Sequence, residues 1–180
     1  VHFRLIDTAG LEDTNDNALE GRMQAQTKRA VCDSDLALFM IDGRAGLTPM
    51  DQYFSGWLRK QETPVLLLAN KCEGSAGESG RLEAFALGFG EPIAVSAEHG
   101  QGLSDLYDAV TNIARKDKDY PIDISFSDPE RALSLAIVGR PNVGKSTMVN
   151  YLLGEDRMLT GPEPGITRDA IPVRWSWEGR

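Results

Sequence analysis

Gly139-Arg-Pro-Asn-Val-Gly-Lys-Ser-Thr147 fits the pattern GxxxxGK[ST]. Leu133-Ser-Leu-Ala-Ile-Val138 before it is an apolar run of strand length, and Ser146 to Leu153 after it reads as a helix. In that strand–loop–helix setting the two bracketing glycines allow a tight backbone whose N–H groups point inward, onto phosphate oxygens. The helix start adds partial positive charge there. Lys145 supplies a full charge toward the β and γ phosphates, and the Ser146 hydroxyl suits a Mg²⁺ ligand. Gly139, Arg140, Pro141, Asn142, Val143, Gly144, Lys145, Ser146 and Thr147 are therefore the candidate phosphate-binding set.

The rest of the chain alternates strands and helices. Val1–Ile6, Leu36–Ile41, Pro64–Ala69 and Pro92–Val95 read as strands. Ala18–Val31, a helix opened by Thr48-Pro49 with Asp51 completing a capping box, Arg81–Leu87 and the Leu103–Ile113 stripe read as helices. Gly74–Gly80 reads as a small-residue loop, and Ala170–Glu178 as a half-buried strand with Val173, Trp175 and Trp177 alternating against polar positions. This alternation predicts an α/β fold with a mostly parallel sheet.

Three strand ends carry chemistry, on the side where such sheets place their ligand groups. Asp7-Thr-Ala-Gly10 offers a carboxylate that can hold Mg²⁺ through water and a Gly10 N–H that can contact a γ-phosphate. Asn70-Lys71-Cys-Glu73 offers an amide to fix its loop, a lysine stem to lie against a base, and a carboxylate to accept two N–H bonds from guanine. Ser96-Ala97-Glu98 offers an N–H for the guanine carbonyl. Taken singly, each of these is also read as a plain strand-end turn; their mutual order at successive strand ends is what gives them weight.

At this point the chain resembles translation-factor-type GTPases of the Era-like group. The pair Gly139–Thr147 and Pro164-Gly-Ile-Thr-Arg-Asp169 narrows the likeness to the EngA family, also called Der: bacterial ribosome-assembly GTPases with two tandem G domains and a C-terminal KH-like domain. The resemblance implies a P-loop GTPase fold with a six-stranded sheet and helices on both faces. Residues 1–116 look like the later part of a first G domain, 117–131 like an acidic linker, and 132–180 like the early part of a second. It implies GTP and GDP as substrate and product, Mg²⁺ held by Ser146, Thr167 and Asp7, K⁺ at Asn142, and catalysis by Lys145, Thr167, Gly10 and Asn142. Asn70, Lys71, Glu73, Ser96, Ala97 and Glu98 would read the base. Leu11 stands where Ras-like enzymes carry a water-positioning glutamine, and Glu73 replaces the more usual aspartate.

The order of these motifs is rotated: a phosphate loop normally precedes the others. The first part lacks the strand that lies between its first two in this fold, and the second part supplies it. A linker of about 15 residues reaches roughly 50 Å, so the expectation is one hybrid, circularly permuted G domain, closed within a monomer or by a domain-swapped dimer. A net charge of −8 argues against a broad basic nucleic-acid surface, and no apolar run approaches a membrane span. Cys32 and Cys72 lack metal or disulfide spacing and suit a reducing cytoplasm. The abrupt opening without methionine suggests a piece of a longer protein, in which ribosomal large-subunit contact would belong to the whole. Two rival functions stand beside GTP hydrolysis: a nucleotide-dependent interaction module with negligible turnover, and an ATP-using P-loop enzyme.

Overall fold

The computed structural model describes residues 2–8, 18–116, 132–154 and 171–176. Its strands are β1 (His2–Asp7), β2 (Leu36–Asp42), β3 (Val65–Asn70), β4 (Ile93–Ala94), β5 (Leu133–Val138) and β6 (Ile171–Ser176); its helices are α1 (Ala18–Cys32), α2 (Pro49–Leu58), α3 (Glu78–Glu83), α4 (Leu103–Lys116) and α5 (Lys145–Leu153). The sheet order is β4-β3-β2-β5-β1-β6, with β6 antiparallel to β1 at one edge and the other five strands parallel. The strand that follows all the base-reading motifs in sequence thus lies between β1 and β2. It aligns Leu133 with Phe3 on one side and Leu135 with Leu36 on the other.

A parallel sheet must bury both faces, because its crossovers lay helices on each side. Alternation along the strands sorts the side chains accordingly. Phe3, Leu5, Leu38, Met40, Leu135 and Ile137 face α4 and α5, meeting Leu103, Leu106, Val110, Met148 and Val149. Ala37, Phe39, Ile41, Leu67, Ala136 and Val138 face the other way, onto Val31, Phe54, Leu58 and Leu87. Burying one such large side chain is worth about 1.5–3 kcal/mol, and β5 contributes to both layers at once. Tyr107 and Ile113 complete the α4 stripe as partly buried members.

Helix α2 begins as its sequence dictates. The Thr48 side chain accepts from the Asp51 N–H, the Asp51 carboxylate accepts from the Thr48 N–H at 3.0 Å, and Pro49 occupies the first turn. Met50 and Trp57 lie partly buried beside the fully covered Phe54 and Leu58. The expected Gly74–Gly80 loop requires correction. It holds a 3₁₀ turn, Ser75–Gly77, and the start of α3 at Glu78, while Ala84–Leu87 of the expected helix is a second 3₁₀ turn. The small residues serve close approach rather than a free loop: a Cβ on Gly80 would sit 2.1 Å from the Gly43 carbonyl oxygen. Among the described residues no helix is long and apolar enough to cross a membrane. The linker at 117–131 and the segment holding Thr167 lie outside the described residues, as do Gly10 and Leu11.

Candidate functional site

Register alone gathers the chemistry. Asp7 lies opposite Ile137 and Asp42 opposite Asn70, so the carboxyl ends of β1, β2, β3 and β5 fall along one edge of the sheet. That edge is where the loop Gly139–Gly144 leaves β5 and where α5 begins. In such sheets this is the ligand-binding rim.

The phosphate loop is built against the β2 and β3 ends. Gly139 has φ of 153°, and a Cβ there would meet the Met40 carbonyl oxygen at 2.2 Å. Gly144, with φ of 103°, would clash at 2.2 Å with Asn70 Nδ2. These two positions therefore require glycine for contact as well as for backbone angle. Gly144 is also the N-cap of α5 and supplies no side-chain cap, so the start of the helix, with its partial positive charge, opens at the rim. Arg140 Nε donates to Asp51 Oδ1 at 3.1 Å, tying the loop to the capping residue of α2. Pro141 is half-buried, Asn142 is exposed with φ of 60°, and Val143 is buried.

Lys145 is buried, and its Nζ donates to the carbonyls of Gly139 at 3.0 Å and Arg140 at 2.8 Å. Desolvation pulls its pKa down to about 8; the Asp7 charge opposes this and the Arg140 charge adds to it. The ammonium thus sits curled in its own loop at the position from which it can turn to phosphate oxygens.

Beside it, Ser146 Oγ donates to Asp7 Oδ2 at 2.7 Å. Asp7 is fully buried, and its Oδ1 has no hydrogen-bond partner. Burial pushes the Asp7 carboxyl above its ordinary pKa, against the pull of the Ser146 hydroxyl and the Lys145 charge. An orphaned carboxylate oxygen next to a hydroxyl is a hard-oxygen donor set that suits Mg²⁺, so the residues present fit that ion.

The base-reading segments converge on the same loop. Asn70 is 2 % exposed. Its Nδ2 donates to the Val143 carbonyl at 2.6 Å and its Oδ1 accepts from the Ala97 N–H at 2.8 Å. Expected to fix its own loop, Asn70 instead joins three: its own, the phosphate loop and the Ser96-Ala97 turn. The Ala97 N–H is consequently engaged already, and a base oxygen would share it. Lys71 adopts φ of 63°, an uncommon angle for a non-glycine residue that clusters at functional sites. Its Nζ reaches Asp42 Oδ2 at 2.7 Å, leaving its stem along the rim. Glu73 pairs with Arg44, and the carboxyl is held below its ordinary pKa by its own backbone N–H first, then by the nearby Ser96 side chain and the Arg44 charge, against the opposing effect of burial. Ser96 is buried, Glu98 exposed, and Thr147 half-buried on α5.

Four residues contribute in ways that the motif reading did not assign. Thr8 donates to the Ile137 carbonyl at 2.7 Å, locking the β1 end to β5. Asp42 holds the Arg44 and Ala45 N–H groups at 3.0 and 3.1 Å besides the Lys71 ammonium. Asp51 anchors Arg140, and Arg44 meets Glu73. Asp42 ends an apolar strand just as Asp7 does, which is the one signal that could have singled it out.

Comparison with known proteins places these features in context. The family described as "50S ribosome-binding GTPase" matches residues 1–71 and 134–180. Among curated proteins, the chain is similar to GTPase Der of Parvibaculum lavamentivorans, at 53% identity over 201 residues covering 100% of this chain and 42% of that protein. It is also similar to GTPase Der of Azorhizobium caulinodans, at 52% identity covering 99% and 40%, and to that of Novosphingobium aromaticivorans, at 52% covering 98% and 40%. The chain therefore spans about two fifths of the length of these curated relatives.

Proposed function

Since the chain belongs to the family of 50S ribosome-binding GTPases, we propose that its rim binds GTP and GDP and hydrolyses GTP. We propose further that the whole protein of which such a chain is a part uses the cycle as a cytoplasmic switch in large-subunit ribosome assembly; the name of the matched family supports the contact with the 50S ribosome. The observation that carries the reading is the Asn70 side chain, which joins the phosphate loop to both base-reading segments through two short hydrogen bonds.

In this reading the loop amides, the α5 start and Lys145 hold the phosphates and stabilise charge as the terminal phosphoryl group departs. Lys145 gives up its two carbonyl partners to do so. Asp7 and Ser146, with Thr167, would hold Mg²⁺, which would supply charge neutralisation at the phosphate oxygens. Gly10 would sense the γ-phosphate, and Asn142 would serve a K⁺ ion. Asn70, Lys71, Glu73, Ser96, Ala97 and Glu98 build the base side. The architecture we propose is a hybrid G domain, residues 1–116 as the later part of one and 132–180 as the early part of another, joined through 117–131 in permuted order. The position of β5 between β1 and β2 supports closure within one chain, with a domain-swapped dimer as its variant.

Competition binding of GDP against ADP, combined with solution mass, tests this. A monomer or dimer that prefers GDP supports it, and equal affinities sink the guanine assignment in favour of an ATP-using enzyme. Turnover is tested by phosphate release in K⁺ and in Na⁺ against Lys145→Ala. Leu11, in the place of a water-positioning glutamine, favours the second reading, a nucleotide-dependent interaction module. A rate equal to the Lys145→Ala control in both salts selects that reading.

A further inference from the structure

Glu73 does not stand open to the rim. The Arg44 guanidinium is paired with its Oε1, while Oε2 is buried without a hydrogen-bond partner. Arg44 lies in the turn after β2, and that turn is fixed by the bonds from the Arg44 and Ala45 N–H groups to Asp42 Oδ1. The other Asp42 oxygen holds Lys71. One strand-end carboxylate thus sets both the turn that delivers Arg44 and the lysine that flanks Glu73.

A guanidinium presents parallel N–H donors to a carboxylate in the same fork that makes arginine–carboxylate pairs bidentate. The edge of guanine carrying N1–H and the exocyclic amine offers the same two-donor pattern. In this structure Arg44 takes only one of the two oxygens, whereas the base would engage both. Arg44 is also the more accessible partner, with its side chain 52% exposed against 19% for Glu73.

We propose that Arg44 is a specificity gate on the base site: it occupies Glu73 as a stand-in for guanine and is displaced when a guanine base arrives. This rests on the guanine-nucleotide reading above. The gate has two consequences. It keeps a negative carboxylate from standing unpaired at the mouth of a site that must admit a polyanion. It also demands that an entering base replace the bond it breaks, which guanine can do and adenine cannot.

The test is GDP and ADP binding, by association rate and equilibrium affinity, for the parent chain, Arg44→Gln, Glu73→Gln and the double variant. Exposed pairs are worth little, and that sets the scale. Arg44→Gln should raise GDP affinity about two- to five-fold, through a faster association rate. In the Glu73→Gln background the Arg44→Gln change should have no effect, because no carboxylate remains to contest. A parent that prefers GDP to ADP, together with an Arg44→Gln variant of unchanged or weaker GDP binding, overturns the gate and leaves the guanine reading intact. A gain that persists at equal size in the Glu73→Gln background also overturns it. A parent that binds both nucleotides equally brings down the guanine reading itself, and the gate with it.

Discussion

Replacing Asn70 with alanine strikes the point where the two ends of the chain meet. The substitution removes the donor to the Val143 carbonyl and the acceptor of the Ala97 N–H. Both partners lie in buried residues, and an orphaned buried polar group costs about 1–3 kcal/mol. The two together cost about 2–6 kcal/mol, and solvent entering the space vacated beside Gly144 returns part of this, leaving about 2–4 kcal/mol. For a chain of this size each kcal/mol lowers Tm by about 2–4 °C, so the nucleotide-free Asn70→Ala protein should melt about 4–16 °C below the parent. Val143 is part of the phosphate loop, so GDP affinity should fall at least about tenfold, equivalent to about 1.4 kcal/mol. Asn70→Asp separates the two bonds. It keeps an acceptor for the Ala97 N–H but turns a buried carboxylate oxygen toward the Val143 carbonyl, so GDP binding should suffer at least as much as in Asn70→Ala, with a loss of Tm at least as large. Calorimetric melting and GDP titration read both quantities. An Asn70→Ala protein that melts with the parent and binds GDP equally well would show that the two segments do not depend on this side chain, and the proposed shared pocket would fail.

Three further outcomes are expected. Gly144→Ala, which forces a Cβ to 2.2 Å from Asn70 Nδ2 at a φ of 103°, should abolish measurable GDP binding while far-UV circular dichroism stays near that of the parent. Lys145 has a pKa near 8 in the nucleotide-free protein, and phosphate favours its charged form. Binding therefore takes up a proton above that pH. GDP affinity should be flat below pH 8 and weaken toward tenfold per pH unit above it, a slope that titrations of Lys145→Met should lack. Asp51→Ala removes the reciprocal half of the α2 capping box and strands Arg140, which should cost about 2–4 kcal/mol by urea denaturation; Arg140→Met in that background should recover part of the loss.

The residues legible in the sequence were those whose chemistry is local. The phosphate loop shows itself by spacing, α2 by Thr48, Pro49 and Asp51, and β5 by an apolar run whose bounds the structure reproduces as Leu133–Val138. The ends of β1 and β3 show themselves by polar residues after apolar strands. What stayed hidden depends on partners distant in sequence. Arg140 reads as a loop cation until Asp51 is seen beneath it, and Arg44 as a surface residue until the turn held by Asp42 brings it to Glu73. The Gly74–Gly80 stretch misleads for a related reason. Composition cannot tell small residues that free a backbone from small residues that let a helix press on a neighbouring turn, as Gly80 does on Gly43.

The place of β5 also sets the timetable of folding. Its neighbours β1 and β2 precede it by most of the described chain, and the ladder that aligns Phe3 with Leu133 closes one of the longest loops in the molecule. When residues 1–180 refold by themselves, those two apolar strands have no common neighbour until β5 docks between them. Long-range closure of this kind is slow and invites misassociation, so early hydrogen-exchange protection should appear in β2 and β3 and reach β1 last.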